Sequence, residues 1–254
     1  RLGNALRLHL DLEVQKAAST ALTEMLTTTG SKAGAAVALD PRTGGVRALV
    51  SFPSYDPNSF AAGLTSEQYQ ALLNDQNEPL LNRATSGQYE SGSAIKPFVF
   101  TAGLSEHVIT PQTRFDTPSE IRIGEWVFPD WKDHGMTDVR RAIAESNNIF
   151  DFTVGGGWDK YKGLGPQRLT SWLKKFGFGE RTGIDLPYEQ TGFVPTPEWK
   201  KRIKGERWYI GDTYNLSIGQ GDFLTTPIQM ASAIGAIANG GTRYAPRLAD
   251  TLLG

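Results

Sequence analysis

A serine and a lysine lie three residues apart where a polar run meets an apolar run, at Ser93 and Lys96. Residues 89–92 are polar or glycine apart from one tyrosine, whereas residues 98–104 are mostly apolar. This change predicts a turn that leads into a helix, with Pro97 in the first helical turn, where a missing N–H costs little. Residues at i and i+3 share one helix face, so the hydroxyl and the amine should point the same way.

The spacing of Ser93 and Lys96 suits nucleophilic catalysis. A serine hydroxyl is a weak nucleophile until a base takes its proton, and a lysine with a lowered pKa can be that base. The start of a helix also offers free N–H groups and a positive dipole end beside the hydroxyl. Because such pairs also arise by chance, the alternative interpretation is a serine that caps the helix and a lysine in solvent.

The composition of the 254 residues excludes several classes of protein. A hydrophobic content of 39% fits a globular domain, and a net charge of −1 gives no footprint for nucleic acid or an anionic membrane surface. The chain has no cysteine, so it can form neither a disulfide nor a thiolate metal site. No run approaches the ~18 apolar residues of a membrane span, and no signal peptide opens the sequence. Residues 1–4 are typical of an internal cut in a longer protein.

Two later segments place polar side chains in apolar surroundings. Ser146 and Asn148 interrupt an apolar helical pattern, and residues 217–221 are Ser-Ile-Gly-Gln-Gly. Penicillin-binding proteins and serine β-lactamases carry Ser-x-x-Lys followed by a Ser-x-Asn type segment, and Ser93-x-x-Lys96 precedes Ser146-x-Asn148 in the same order. With the Ser-Ile-Gly-Gln-Gly run, nearly the whole chain resembles class B penicillin-binding proteins, in particular the transpeptidase of cell elongation.

The resemblance implies a role for each of these side chains. Ser93 is the implied nucleophile, which would attack a D-alanyl-D-alanine stem peptide or a β-lactam to give an acyl-enzyme, and Lys96 is the implied base. Ser146 is expected to relay a proton to the leaving amine. Asn148 is expected to hold Lys96 or the substrate amide by hydrogen bonds. The structural alternative for the second pair is a serine at a helix bend with a capping asparagine.

The chain departs from the family pattern in three places. Ser91 and Ala94 stand where proline is usual and threonine is common, and neither side chain does chemistry. No Lys-Thr-Gly, Lys-Ser-Gly or His-Thr-Gly is present. In the family that segment follows the Ser-Ile-Gly-Gln-Gly run, and its strand complements the Ser93 N–H in the oxyanion hole. We therefore expect residues 1–254 to be a partial transpeptidase domain, truncated before the last three strands of a five-stranded sheet and inactive alone.

The resemblance implies an α/β fold of the α+β type, with helices around an antiparallel sheet. A turn at residues 40–45 joins two β-rich runs into the first hairpin of that sheet. Capping residues and apolar periodicity predict helices over residues 11–26, 66–74, 139–154, 167–176 and 226–239 and a half-buried strand over 6–10. We expect loops over 51–60 and 183–211, a satellite cluster of the aromatic residues in 108–138, and no element over 242–254.

The function implied by the resemblance is peptidoglycan D,D-transpeptidase, acting on stem peptides and inhibited covalently by β-lactams. The implied location is the periplasmic or outer face of the cytoplasmic membrane, with an N-terminal anchor, and the implied protein partner is a glycosyltransferase of the elongation complex. Two alternatives stay open. One is a β-lactamase or β-lactam sensor of the same superfamily, for which no water-activating group is identified, and the other is a non-catalytic scaffold in the elongation complex.

No cofactor is implied, and no metal site is predicted. Asp116, Asp130 and His134 lie between the two catalytic segments, where some elongation-type members hold zinc with the help of a cysteine. Without a thiolate these side chains make a weak zinc site, and exposed loop carboxylates with a surface histidine are the preferred interpretation. The basic and aromatic residues 199–208 are interpreted as solvated surface, with a contact for acidic glycan or peptide as the alternative.

Overall fold

The computed structural model describes residues 4–253. The chain forms two compact units: the first contains the chain up to Gln88, Glu180–Gly192 and the chain from Thr225 onward, and the second contains Tyr89–Gly179 and Phe193–Leu224. Within the described residues, no helix is both long enough and apolar enough to cross a membrane.

Helices and short antiparallel strand pairs make up the described chain, which confirms the expected mixed fold. The helices are α1 Leu12–Thr29, α2 Pro57–Ala62, α3 Ser66–Leu73, α4 Lys96–Ser105, α5 Val139–Ala144, α6 Asn148–Gly156, α7 Gly165–Lys175, α8 Pro197–Lys204, α9 Ile210–Ser217 and α10 Pro227–Ala238. The strands are β1 Ala5–Leu8, β2 Gly34–Leu39, β3 Val46–Phe52, β4 Arg114–Thr117, β5 Glu120–Ile123, β6 Trp126–Pro129, β7 Gly135–Asp138 and β8 Ala249–Leu253. They pair as β1 with β8, β2 with β3, β4 with β7 and β5 with β6.

The first unit contains the predicted hairpin of β2 and β3. Asp40 opens its turn, because its carboxylate accepts hydrogen bonds from the backbone and side chain of Arg42 and from the side chain of Arg47. Alternate side chains at the start of β3 are buried, as a period of two requires. The helix α1 packs on this hairpin, and its N-cap is Asp11, the first residue of the helix predicted over 11–26.

Strands β1 and β8 form an antiparallel pair in the first unit. The expectation of no element over residues 242–254 is therefore wrong, because the partner of β8 lies at the other end of the sequence. The expected half-buried face of β1 is also wrong: all four of its residues are exposed, and Leu6 retains 50% of its accessible surface.

The second unit packs α4 against α6 and α7, and α6 against α9. Aromatic side chains fill its core, with Phe98 packed edge-on against Phe178 and Phe100 packed edge-on against Phe150. Glycine allows α6 to approach α9 closely, since a Cβ at Gly155 would lie 2.7 Å from the Cβ of the facing serine. This close packing holds the end of α6 against α9.

Three expected elements differ from the structure. The single helix expected over residues 139–154 is two helices, because the Asn147 side chain accepts a hydrogen bond from the N–H of Phe150 and so starts α6 anew. The expected loop over 183–211 contains α8 and the start of α9, and Thr196 caps α8. The expected loop over 51–60 contains the end of β3 and the start of α2.

The aromatic residues of 108–138 do not form the expected satellite cluster. Phe115 is buried in the core of the second unit, and Phe128 packs beside the buried cluster around Tyr214. In contrast, Trp126 and Trp131 are 74% and 63% exposed. Hydrophobic composition alone does not tell which aromatic side chains of a long segment reach the core.

Candidate active site

Ser93 lies in a turn of 3₁₀-helix, Gly92–Ile95, which continues directly into α4 at Lys96. This confirms the predicted turn and helix, with Pro97 in the first helical turn. Ser93 is exposed, whereas Lys96 retains only 2% of its accessible surface. Burial removes hydration from the ammonium group and lowers the pKa of Lys96.

The Ser-Ile-Gly-Gln-Gly run, residues 217–221, lies directly beside this turn. The backbone N–H of Gly92 donates to the carbonyl oxygen of Gly219 at 3.0 Å. A Cβ at Gly219 would overlap with Oγ of Ser91 and with the carbonyl oxygen of Gly92, and the φ of +70° at Gly219 also favours glycine. Glycine at position 219 therefore lets this run support the turn that carries Ser93.

Ser146 occupies the break between α5 and α6, with a φ of +53° that few residues other than glycine adopt. The next residue, Asn147, is fully buried. Its side chain donates to Oγ1 of Thr117 and accepts from the N–H of Phe150, each at 2.8 Å. These bonds fix the segment after Ser146 and make Asn148 the first residue of α6.

One set of hydrogen bonds connects the four predicted site residues. Nζ of Lys96 donates to the carbonyl oxygen of Ser146 at 2.8 Å and to Oδ1 of Asn148 at 2.7 Å, and lies 3.4 Å from Oγ of Ser146. Oγ of Ser146 donates in turn to Oγ of Ser93 at 2.9 Å. The path from the lysine amine to the Ser93 hydroxyl therefore runs through Ser146.

Two carboxyl groups lie near the lysine amine. Oδ2 of Asp151 on α6 is 3.6 Å from Nζ of Lys96, and burial raises the pKa of Asp151 well above its ordinary value. Oδ2 of Asp130 accepts hydrogen bonds from the N–H groups of Asn148 at 2.7 Å and Ile149 at 3.1 Å, which caps α6. Attraction to Asp151 and Asp130 offsets part of the lowering that burial imposes on the pKa of Lys96.

A group of charged side chains supports the segment that precedes Ser146. Nδ1 of the buried His134 is hydrogen-bonded to Oε2 of Glu145 at 2.7 Å. Glu145 also accepts a hydrogen bond from Arg141 and pairs with Lys132. Hydrogen bonds from Arg141, His134 and Lys132 lower the pKa of Glu145 to about 2. Since Glu145 directly precedes Ser146 in the chain, these contacts restrain the backbone at Ser146.

The residues considered for zinc do not form a ligand set. Nε2 of His134 has no hydrogen-bond partner and lies 3.5 Å from Oδ2 of Asp130, but that oxygen already accepts two backbone N–H groups. Asp116 is exposed on β4. Within residues 4–253, no three His, Cys, Asp or Glu side chains are arranged to hold a metal ion. His134 is buried, so its interpretation as a surface histidine is wrong, while a metal-free native protein stays a prediction.

The order and spacing of these segments match a known family. The penicillin binding protein transpeptidase domain matches residues 34–253. The chain belongs to this family. Its relatives confirm the resemblance to class B penicillin-binding proteins, and similarity to solved structures of the family confirms the transpeptidase fold.

Known members resemble the chain over nearly its whole length. It is 44% identical over 250 residues to the peptidoglycan D,D-transpeptidase MrdA of Escherichia coli strain K12, an alignment of 97% of this chain and 37% of that protein. Pseudomonas aeruginosa PBP2 in complex with WCK 5153 has a TM-score of 0.87 and 35% identity, over 99% of this chain and 55% of that one. A chain in a study of polymerization and crosslinking by a peptidoglycan synthase complex has a TM-score of 0.87 and 37% identity. That similarity covers 98% of this chain and 44% of that one. The chain thus spans between 37% and 55% of the length of these proteins.

All four predicted site residues lie in one hydrogen-bonded set, and their chemical roles stay predictions. Sequence interpretation missed Asp151, although it follows Asn148 by three residues and so shares a helix face with it. It also missed the contact between His134 and Glu145. That contact joins a loop to the end of a helix, and no local pattern indicates it.

Proposed function

We propose that the protein containing this chain is a D,D-transpeptidase that cross-links peptidoglycan through an acyl-enzyme on Ser93. The observation that carries the proposal is the path from Nζ of Lys96 through Oγ of Ser146 to Oγ of Ser93. This path allows a buried lysine to act on an exposed hydroxyl through the hydroxyl of Ser146. Family membership and 44% identity to a peptidoglycan D,D-transpeptidase support the substrate class.

In the proposed acylation step, Oγ of Ser93 attacks the carbonyl carbon of the penultimate D-alanine. The Ser93 proton passes to Oγ of Ser146 while the Ser146 proton passes to the neutral amine of Lys96, which becomes an ammonium group. The reverse transfer protonates the nitrogen of the terminal D-alanine as its C–N bond breaks. Asn148 keeps Lys96 in position through both transfers, and the backbone N–H of Ser93 is one proposed oxyanion donor.

Release of the acyl group repeats these steps with a different amine. An amino group of a neighbouring stem peptide attacks the ester carbon, its proton passes along the same path, and Oγ of Ser93 regains a hydroxyl proton as the ester bond breaks. A β-lactam can complete the first step, but its leaving nitrogen stays attached to the acyl group. The β-lactam therefore remains on Ser93 as a covalent inhibitor.

The proposal includes the setting of the whole protein. We propose that residues 1–254 belong to one transpeptidase domain at the periplasmic face of the cytoplasmic membrane, held by an N-terminal anchor. A glycosyltransferase of the elongation complex is the proposed partner. The similarity to a chain in a study of a peptidoglycan synthase complex supports that assignment. The net charge of −1 gives no reason to invoke nucleic acid.

The two alternatives have less support from the site. A β-lactamase needs a group that activates water at the ester, but the two carboxyl groups near Lys96, on Asp130 and Asp151, are fully buried. A non-catalytic scaffold needs no connected path from Lys96 to Ser93, whereas the chain retains every member of that path.

The nucleophile assignment is tested by mass spectrometry on the full-length protein. A β-lactam should add its mass to the peptide that contains Ser93, and Ser93→Ala should abolish the adduct, because removal of a nucleophile costs many decades of rate. The control is Ser171→Ala, which alters an exposed serine on α7 and should leave labelling unchanged. An adduct on any other serine would refute the assignment.

The base assignment is tested with Lys96→Arg. Guanidinium keeps its proton and cannot act as a base, so acylation should stop, while binding of intact substrate should suffer less. Acylation rates are compared with substrate affinity in the same preparation, and circular dichroism checks that the variant is folded. A near-normal acylation rate would mean that Lys96 contributes only its charge.

A further inference from the structure

Asp151 is a buried carboxyl group without an evident structural role. It lies in the first turn of α6 and has no accessible surface. Neither of its side-chain oxygens has a hydrogen-bond partner. A buried carboxyl group usually receives several hydrogen bonds, because leaving it unpartnered costs more than the bonds return. The position of Asp151 therefore calls for an explanation other than packing.

The amine of Lys96 faces this carboxyl group. Oδ2 of Asp151 lies 3.6 Å from Nζ, within the range of an ion pair. The three N–H bonds of a Lys96 ammonium are already accounted for by the carbonyl oxygen and Oγ of Ser146 and by Oδ1 of Asn148. Asp151 therefore faces the lysine as a charge and not as a hydrogen-bond acceptor.

We propose that Asp151 is the buried counter-charge of Lys96 and sets the pH at which the lysine becomes a free base. This inference rests on the proposed function, because it assigns Asp151 as a positioning residue that acts through the lysine and touches neither substrate nor Ser93. Its carboxylate holds the ammonium form of Lys96 in the buried site. Lys96 therefore loses its proton, and can take the proton of Ser93, only at a higher pH.

Each charge of the pair acts on the pKa of the other. Burial lowers the pKa of Lys96, and attraction to Asp151 and then to Asp130 opposes that change. Burial raises the pKa of Asp151, attraction to Lys96 opposes that change, and the charge of Asp130 adds to it. On the α9 side of α6, the phenol of Tyr214 has a pKa raised to about 12 by burial, so it stays neutral. The cations of α5 and α7 are exposed, so solvent screens their effect on Lys96 and Asp151.

Removing the counter-charge should therefore make the enzyme faster in acid. Below the pKa of Lys96, the fraction of free amine falls about tenfold for each pH unit. Without the Asp151 carboxylate, only the weaker attraction to Asp130 opposes the lowering by burial, so the pKa of Lys96 falls further. An opposite charge within ~4–6 Å typically shifts a pKa by about one unit or more. Asp151→Asn should move the acid limb of acylation down by about one pH unit and raise the rate about tenfold on that limb.

The experiment compares second-order rates of β-lactam acylation against pH for the full-length wild-type protein and Asp151→Asn. The rate at high pH should be similar in both, and the variant should be faster at low pH. The control is Asp159→Asn, which makes the same chemical change at an exposed aspartate and should leave the profile in place. Damage to the fold would slow acylation. A faster rate of the variant at low pH therefore cannot result from misfolding.

An unshifted or raised acid limb in Asp151→Asn would overturn the inference. If the wild-type protein shows no acylation at any pH, the proposed function fails, and the inference is decided by a spectroscopic measurement. Carbon-13 resonances of the Lys96 side chain and of the Asp151 carboxyl group are followed against pH in the wild-type protein. An Asp151 that stays protonated while Lys96 is an ammonium would show that no counter-charge exists, even if the variant does not fold.

Discussion

The two segments that carry the site are held in place by different means. Ser93 and Lys96 lie on a regular helix start, and both residues that flank the junction, Ile95 and Lys96, have ordinary helical dihedral angles. Ser146 instead has a left-handed backbone between two short helices, and the side chains that restrain it come from residues 130–134 and from Glu145. The first segment should therefore depend on backbone fit, and the second should depend on side-chain hydrogen bonds.

The largest expected effect comes from Gly219→Ala, which disrupts the backbone contact that supports the Ser93 turn. The new Cβ overlaps with backbone and side-chain atoms of residues 91–92, and φ at Gly219 is +70°. A left-handed alanine alone costs about 1–2 kcal/mol, and a displacement of ~1 Å at Ser93 can reduce a rate by ~10². We expect both losses, measured by urea unfolding and by β-lactam acylation.

A matched control separates backbone strain from overlap. Gly205 has a φ of +72°, and a Cβ at this position would meet no atom within 4 Å. Gly205→Ala should therefore lose stability through strain alone and keep its acylation rate. If Gly219→Ala and Gly205→Ala acylate equally well, the close approach of residue 219 does not position Ser93.

A smaller effect is expected from His134→Ala, which removes a side-chain contact that supports the segment before Ser146. The substitution removes the hydrogen bond between the buried His134 ring and the partly exposed Glu145 carboxylate. Loss of one partner of such a bond costs about 1–3 kcal/mol. Urea unfolding should show this loss, and acylation should slow while the Ser93 turn stays intact. Lys132→Ala removes a partly exposed cation from the same glutamate and should cost less than about 1 kcal/mol. Equal losses in the two variants would mean that burial of His134 contributes nothing to stability.

The strain at Ser146 is tested by comparing Ser146→Gly with Ser146→Ala. Both remove the hydroxyl that connects Lys96 to Ser93, so both should slow acylation by a similar factor. Only glycine relieves the left-handed backbone, so the glycine variant should be more stable than the alanine variant by about 1 kcal/mol. Equal unfolding midpoints would show that the backbone of this residue is not strained.

The smallest effect concerns the pH dependence of stability. The pKa of Glu145 is lowered from 4.5 to about 2 in the folded protein. A lowered pKa stabilises the fold above the unfolded value of 4.5, and this stabilisation is lost as pH falls from 4.5 towards about 2. Glu145→Gln should therefore flatten the unfolding free energy over that range. Parallel curves for the two proteins would contradict the role of Glu145 in supporting Ser146.

The sequence predicts the Ser93 segment almost completely and the Ser146 segment only in part. Ser93, Lys96 and Pro97 lie in a local pattern from which turn and helix rules predict the turn and the start of α4, but not the contact with Gly219 that supports the turn. At Ser146 the residues were identified by their order along the chain, but the expected continuous helix is broken by the buried side chain of Asn147. That side chain bonds to Thr117, thirty residues away, and helix propensity carries no information about such a partner.

In the rest of the fold, too, features set by local sequence were predicted and features set by distant contacts were not. Helix α10 begins at a capping box of Thr226 and Gln229, where the helix over 226–239 was predicted, and α1 follows its N-cap, Asp11, as expected. The pairing of β1 with β8 depends on segments from opposite ends of the sequence, which hydrophobic patterns cannot relate. The burial of Asp151 is similar, because only the packing of α4 against α6 shows which charge it faces.

The deep position of Lys96 has a practical consequence for chemical modification. Reagents that acylate lysine amines from solution act on accessible, unprotonated groups, and Lys96 retains only 2% of its surface. Lys200, at 6%, is held by both carboxylate oxygens of Asp212. Exposed lysines such as Lys16 and Lys162 should therefore accept a dye or a surface linker first. The protein can be attached to a sensor chip through its lysines while the amine proposed to activate Ser93 stays unmodified.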